Sequence, residues 1–159
     1  MSFRVGIGYD IHRFKKGRKL VLGGVEIPYK AGLDGHSDAD VLLHAICDAL
    51  LGALGKGDIG EHFSNQDPRW KDIASTKLLK TVSDLVKKDG FKVINVDTVI
   101  QAEEPHLKDY KAPMRAVIAK ILSIEEASVN IKATTQEGLG ATGKKEGMAA
   151  FATVLLQKA

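Results

Sequence analysis

Along FRVGIG, apolar Phe3, Val5 and Ile7 alternate with Arg4, Gly6 and Gly8. A period of two belongs to a strand, whose successive side chains point to opposite faces. KLVLGGVEIP is apolar on both sides of Gly23-Gly24 and predicts a hairpin or bent strand pair turning there. AGLDGHSD reads as loop, with Ser37 and Asp40 spaced like a capping box that has Asp in place of the usual Glu. A helix is expected from about Ala39 to Leu54, ending in the glycine-rich GALGKGDIG. Gly55 to Trp70 carry Gly, Asp, Asn and Pro and are expected to be loop. STKLLKTVSDLVKKDG returns to a helical period, with Leu78, Leu79, Val82, Leu85 and Val86 on one side and Lys87-Lys88 and Gly90 at its close. FKVINVDTVIQAE alternates as a long strand, and PHLKDYKAPMRAVIAKIL predicts a third helix in its second half. SIEE fits one more short turn, SVNIKATT a strand, and GMAAFATVLLQ a strand rather than a helix, because Gly147 opens it and Phe151, Thr153 and Val154 sit within it.

These elements predict an α+β fold: a mixed sheet of about four to five strands with helices packed on one face. The alternation also implies that one face of the sheet meets something drier than solvent, such as a partner subunit. There is no internal repeat and no linker, so residues 1–159 are expected to form a single domain.

Composition narrows the class. With 159 residues, 44% of them hydrophobic, the chain can bury a core without staples. The lone cysteine, Cys47, excludes an internal disulfide framework, fits a reducing compartment, and reads as a core residue. A net charge of +3, spread along the chain, favours an anionic ligand but is not the clustered stripe of a nucleic-acid binder. No apolar run is long enough to span a bilayer. MSFRVGIGYD is too polar for a signal peptide, and no transit peptide precedes the first strand, so a cytoplasmic, bacterial setting is expected.

Two stretches carry candidate chemistry. In GYDIHRF, Asp10 and His12 project to one face if the first strand continues that far. In HSDADVLLH, His44 lies one helical turn beyond Asp40. One carboxylate and two imidazoles are what a catalytic zinc site uses, with the fourth position open. Each histidine taken alone reads equally as a satisfied, partly buried side chain, and spacing alone does not bring residues 10 and 44 together. His36 and Ser37 precede the helix, where N–H groups favour anions, although Ser37 also serves as a plain N-cap. His62 and His106 read as surface or loop residues. GLGATGKK has the spacing of a Walker A loop up to its lysine, but Lys145 stands where Ser or Thr should hold magnesium and no later strand offers a partner acid, which argues against a nucleotide-hydrolysing loop. GIGYDI lacks the third glycine of a dinucleotide fingerprint.

Taken together and in order, RVGIGYDIHRF, LGGVEIPYKAGLDGHSDADVLLHAICDALLGALGKGDIGEHF, NVDTVIQAEEP and VNIKATTQEGLGATGKKEGMAA resemble the 2-C-methyl-D-erythritol 2,4-cyclodiphosphate synthase family of the non-mevalonate isoprenoid pathway. The resemblance covers nearly the whole chain. It implies a homotrimer with active sites at subunit interfaces. It implies zinc held by Asp10, His12 and His44, and a second divalent ion, Mg2+ or Mn2+, held by Glu137 and bridging phosphates. The implied reaction is closure of 4-diphosphocytidyl-2-C-methyl-D-erythritol 2-phosphate: its 2-phosphate attacks the β-phosphorus and CMP leaves. His36 and Thr135 match residues credited with stabilising the transition state.

The resemblance further assigns substrate contacts to Asp10, His12, His36 and Ser37, to Asp58, Ile59 and Gly60, and to Phe63, Ser64, Asn65, Gln66 and Asp67. It assigns more to Ala102, His106, Leu107 and Lys108, to Thr134, Thr135, Gln136 and Glu137, and to Ala141 and Lys144. Ala141 stands where the family commonly has an aromatic, Lys144 where it has Arg, and His106 where it often has Lys. Two other readings compete: a zinc-dependent phosphohydrolase and a non-catalytic trimeric anion-binding module. The nucleophile of the cyclisation is already an anion, so no strong general base is needed, and none is evident.

Overall fold

The computed structural model describes residues 2–159. The first strand runs well past FRVGIG, as β1 (Phe3–Lys15). β2 (Leu20–Leu22) and β3 (Val25–Ile27) form the expected hairpin. Gly23 and Gly24 turn it at φ 56 and 75, a left-handed bend that glycine enters without steric cost. Next come β4 (Gly32–Leu33), α1 (Val41–Leu54), α2 (Ile59–His62) and α3 (Ser75–Lys88). The chain closes through β5 (Phe91–Gln101), α4 (Lys111–Leu122), β6 (Val129–Thr134), α5 (Gly140–Gly143) and β7 (Gly147–Lys158). The segment expected to be strand rather than helix at the C-terminus is thus a strand.

Two expectations fail locally. Ser37 does not cap α1. The cap is Asp40, whose buried carboxylate accepts from Leu43 N at 3.1 Å and also from Gly23 N and Gly24 N at 2.9 and 2.7 Å. The helix therefore starts at Val41, because Ala39 adopts a positive φ of 56 that no helix tolerates. The span from Gly55 to Trp70 is also not all loop. Asp58 caps α2 through Glu61 N, and Asp67 caps a 3-10 turn, Pro68–Trp70, through Arg69 N. Asp at the N-cap, with Glu three residues on or Pro directly after, is a helix-start signal that composition alone hides.

The main sheet has five strands in the order β4-β1-β7-β5-β6. All pairs are antiparallel except β5 with β6, so the sheet is mixed. α1 lies on β1 and β7 with α3 beside it, and α4 packs against α3 and β6. Buried on nearly every side, α1 is apolar almost all round. Gly6 and Gly8 set how closely it docks: a Cβ on Gly6 would lie 1.8 Å from Ala49 O, and one on Gly8 1.9 Å from Ala45 O. The contacts also fix the register. Two residues along the strand rise about 6.6 Å and four along the helix about 6 Å, so strand and helix run antiparallel in step. The next inward positions on β1, Asp10 and His12, then fall beside the start of α1. The other face of β1 carries Phe3, Val5, Ile7, Tyr9 and Ile11, all exposed, with Ile7 at 72%. The described residues leave that apolar stripe bare.

Candidate metal centre and ligand cavities

β1 supplies Asp10 and His12 from one face, as continuation of the strand requires, and the first turn of α1 supplies His44. The three ligand atoms converge. His12 Nε2 lies 2.8 Å from Asp10 Oδ2, His44 Nδ1 lies 3.0 Å from the same oxygen, and the two nitrogens are 3.2 Å apart. Tetrahedral zinc with bonds of about 2.0–2.1 Å separates its ligands by about 3.3–3.4 Å. The donor set and its spacing therefore fit such an ion, and among the described residues this is the one cluster of three or more His, Cys, Asp or Glu able to hold a metal.

The rest of each imidazole is held from behind. His12 Nδ1 is 2.6 Å from the carbonyl of Asp34, which can only accept, so the neutral ring keeps its hydrogen on Nδ1 and turns the Nε2 lone pair to the cluster, while the protonated ring also donates from Nε2 to Asp10. His44 Nε2 is 2.9 Å from Ser75 Oγ and 3.1 Å from Ser37 Oγ. Burial opposes charge on Asp10, but the neighbouring His12 and His44 outweigh it and hold the carboxyl well below the usual range. Burial likewise pushes His12 down, while its bond to Asp10 and the nearby Asp34 carry it above its ordinary value.

The cluster opens into a cavity of about 220 Å³ lined by His36, Ser37, Ile59, Gly60, Phe63 and Asn65 among others. Arg18 fixes the His36–Ser37 loop by donating to Gly35 O and Ser37 O at 3.1 and 2.5 Å. Asp48, one turn beyond His44, accepts from Ile59 N at 2.7 Å and pins α2 to α1. Burial raises its pKa against that bond. Ser64 Oγ accepts from Gln66 N, and Asp67 is engaged by the Arg69 guanidinium. His62 is exposed and bonds Lys56 O, as a surface histidine should.

The remaining residues fall elsewhere on the subunit. Ala102, His106, Leu107, Lys108, Thr134 and Thr135 line a second cavity of about 210 Å³ at the C-terminal ends of β5 and β6. Thr135 Oγ1 donates to Glu137 Oε1 at 3.0 Å, and Gln136 N donates to Glu103 Oε1. Glu137 is not part of the Asp10–His12–His44 cluster. Ala141 lines a third cavity, of about 280 Å³, with Ile11, His12 and Arg13, and Lys144 ends α5 nearby. The Walker-like segment leads through α5, only one turn long, into β7. It therefore lacks the long helix that a phosphate-cradling loop opens. Cys47 is fully buried in α1, and burial pushes its thiol up. Sequence reasoning missed Ser75, whose hydroxyl is buried against His44. An isolated serine at a helix start carries no signal beyond capping.

The chain matches the model of the YgbB family over residues 3–157. It is 56% identical over 154 residues to the 2-C-methyl-D-erythritol 2,4-cyclodiphosphate synthase of Desulfatibacillum aliphaticivorans, covering 97% of this chain and 99% of that one. It is 57% identical over 155 residues to the synthase of the same name from Halalkalibacterium halodurans, covering 98% and 99%. Among solved structures, the bifunctional IspDF of Campylobacter jejuni superposes with a TM-score of 0.96 at 45% identity, and this chain spans 99% of itself but 43% of that longer chain. The CDP complex of IspF from Plasmodium falciparum superposes at 0.87 with 34% identity, over 99% and 97%.

Proposed function

The chain belongs to the YgbB family, and we propose that it converts 4-diphosphocytidyl-2-C-methyl-D-erythritol 2-phosphate into 2-C-methyl-D-erythritol 2,4-cyclodiphosphate and CMP. The observation that carries this reading is the convergence of Asp10, His12 and His44 beside the Asp58–Gly60 turn in one cavity. Curated relatives of nearly equal length carry that synthase name.

In the reaction, an oxygen of the 2-phosphate forms a bond to the β-phosphorus. The bond from that phosphorus to the bridging oxygen breaks, and CMP departs with the electron pair. No proton must be removed from the nucleophile, so the residues have to position and neutralise anions rather than act as bases. Asp10, His12 and His44 are the residues to hold zinc, and Glu137 a second divalent ion, Mg2+ or Mn2+. When bound, such ions supply Lewis-acid stabilisation of charge on phosphate oxygens. His36, in the loop that Arg18 steadies, and Thr135 are assigned to the charge that develops at phosphorus. Asp58 and Gly60 hold the erythritol hydroxyls. Their turn is fixed by the cap to Glu61 N and by Asp48 on Ile59 N. Ala102 to Lys108 and Thr134 to Glu137 form the cytidine and phosphate side.

Within one subunit the two halves of this set line separate cavities, and the exposed stripe on β1 needs a cover. Both facts support a homotrimer in which neighbouring subunits complete each site. Residues 1–159 are proposed to act as a single domain in a bacterial cytoplasm. No helix among the described residues is long and apolar enough to cross a membrane.

The test is CMP release from the purified protein and the diphosphocytidyl substrate, with and without chelator, with the second product identified by mass. Chelator-sensitive CMP with a cyclic diphosphate is expected. A product heavier by one water would establish a zinc hydrolase instead, and no CMP from a folded, zinc-loaded protein would establish a binding module.

A further inference from the structure

We propose that Ser75 is a positioning residue that sets metal affinity, by transmitting the charge of Asp38 to His44. This rests on the reading of Asp10, His12 and His44 as a metal site. Ser75 opens α3 and is completely buried, and its hydroxyl has two partners, His44 Nε2 at 2.9 Å and Asp38 Oδ1 at 2.5 Å.

The direction of the chain of bonds follows from the inventory of hydrogens. An ionised carboxylate has none, so Ser75 must donate to Asp38. With its one hydrogen committed there, Ser75 Oγ can only accept from His44. The ring hydrogen of His44 is thereby placed on Nε2, and the lone pair on Nδ1, the atom that faces Asp10 Oδ2. Asp38 is itself anchored. Its Oδ2 accepts from Ser75 N at 3.0 Å and its Oδ1 from Asp40 N at 3.2 Å, so the carboxylate is tied to the first turn of α3 and to the approach to α1.

Ser37 cannot do the same work, although its Oγ lies 3.1 Å from the same nitrogen. It accepts from Ala39 N and keeps its own hydrogen free, so it suits either tautomer of His44. Carboxylate-backed partners on the far nitrogen of a ligating histidine raise its basicity and hold the ring in place, and losing one weakens metal binding about 10–100-fold.

The experiment is zinc titration of the metal-stripped protein against a chromophoric chelator, for the parent, Ser75→Ala and Ser83→Ala. Ser83 is a buried serine on the same helix that bonds Ile121 O instead. The parent should bind zinc, Ser75→Ala should bind it about 10–100-fold more weakly, and Ser83→Ala should match the parent. Zinc affinity of Ser75→Ala within twofold of the parent overturns the proposal while leaving the metal site standing. A parent that binds no zinc overturns both. Nitrogen NMR of the zinc-loaded parent needs no variant: the His44 Nε2–H must exchange slowly with water. Exchange as fast as that of a free imidazole refutes the relay even if Ser75→Ala does not fold.

Discussion

Gly8→Ala is the smallest change that should separate the two halves of the metal site. The added Cβ would lie 1.9 Å from Ala45 O and 2.7 Å from Ala49 N, both backbone atoms of α1. Contacts of that kind do not occur below 3.0 Å, so strand and helix must part by at least 1.1 Å at that point. His44 is the residue next to Ala45, whereas Asp10 and His12 ride on the strand. Metal–ligand distances tolerate about 0.2 Å of error. A displacement several times larger, applied between one ligand and the other two, should abolish tight zinc binding. Overpacking of this sort costs about 1–3 kcal/mol, and for a chain of this size each kcal/mol lowers Tm by about 2–4 °C. The expected result is a folded protein melting about 2–12 °C lower, with zinc affinity down at least tenfold. Circular dichroism melts and chelator competition measure the two effects. A variant that melts within 2 °C of the parent and keeps its zinc affinity would show that Gly8 does not set the strand-to-helix distance.

Two other outcomes are expected. Ile7→Glu puts a charge in the middle of the bare stripe. Ile7 is exposed within the subunit, so the chain should still fold, with stability changed by about 0.5 kcal/mol, yet light scattering should report a monomer mass if the stripe seats the subunits of the proposed trimer. An unchanged assembly mass would remove the stripe from the interface. For pH, His12 is raised above its ordinary value despite burial, through its bond to Asp10, and zinc requires its bare Nε2. A proton therefore competes with the metal below that raised value, and zinc affinity should fall about tenfold per pH unit on the acid side. In the metal-free protein the sign reverses. The stabilisation from protonated His12 is complete below about 6.5 and lost as pH rises through its folded value, while that of the depressed Asp10 is present above about 3.9 and lost on acidification. An affinity that is flat with pH would mean that no proton leaves on binding.

The strands and long helices were legible because their periods are strong. The alternation of β1 announced itself at Phe3, and the amphipathic α3 at Leu78. The placement of Asp10 with His12 was legible too, since strand geometry alone puts them on one face. What spacing could not supply was His44. It reaches them because Gly6 and Gly8 let α1 dock in antiparallel step, and a glycine in a sequence does not say what backbone approaches it. The cap of α1 was misread for a related reason. Ser37, Asp38 and Asp40 are all good caps, and the choice falls to Asp40 because its carboxylate must also close the Gly23-Gly24 turn, a contact between segments far apart in the chain. Asp38 and Ser75 were invisible for the same cause: their partner is each other, across 37 positions.

The two faces of β1 also make that strand a checkpoint on assembly. Its pairing with β7, Gly6 opposite Val154 and Asp10 opposite Ala150, is a ladder that side chains alone would let slide. A slip of one residue turns Tyr9 and Ile11 toward α1 and sends Asp10 and His12 outward. It also brings Val5 or Ile7 to a place where even a Cβ would strike the helix backbone. The misaligned chain is thus refused twice, once by collision with α1 and once by its inability to chelate. If these three residues hold zinc, as proposed, zinc present during refolding should therefore raise the yield of correctly aligned protein, acting as a proofreader of strand register.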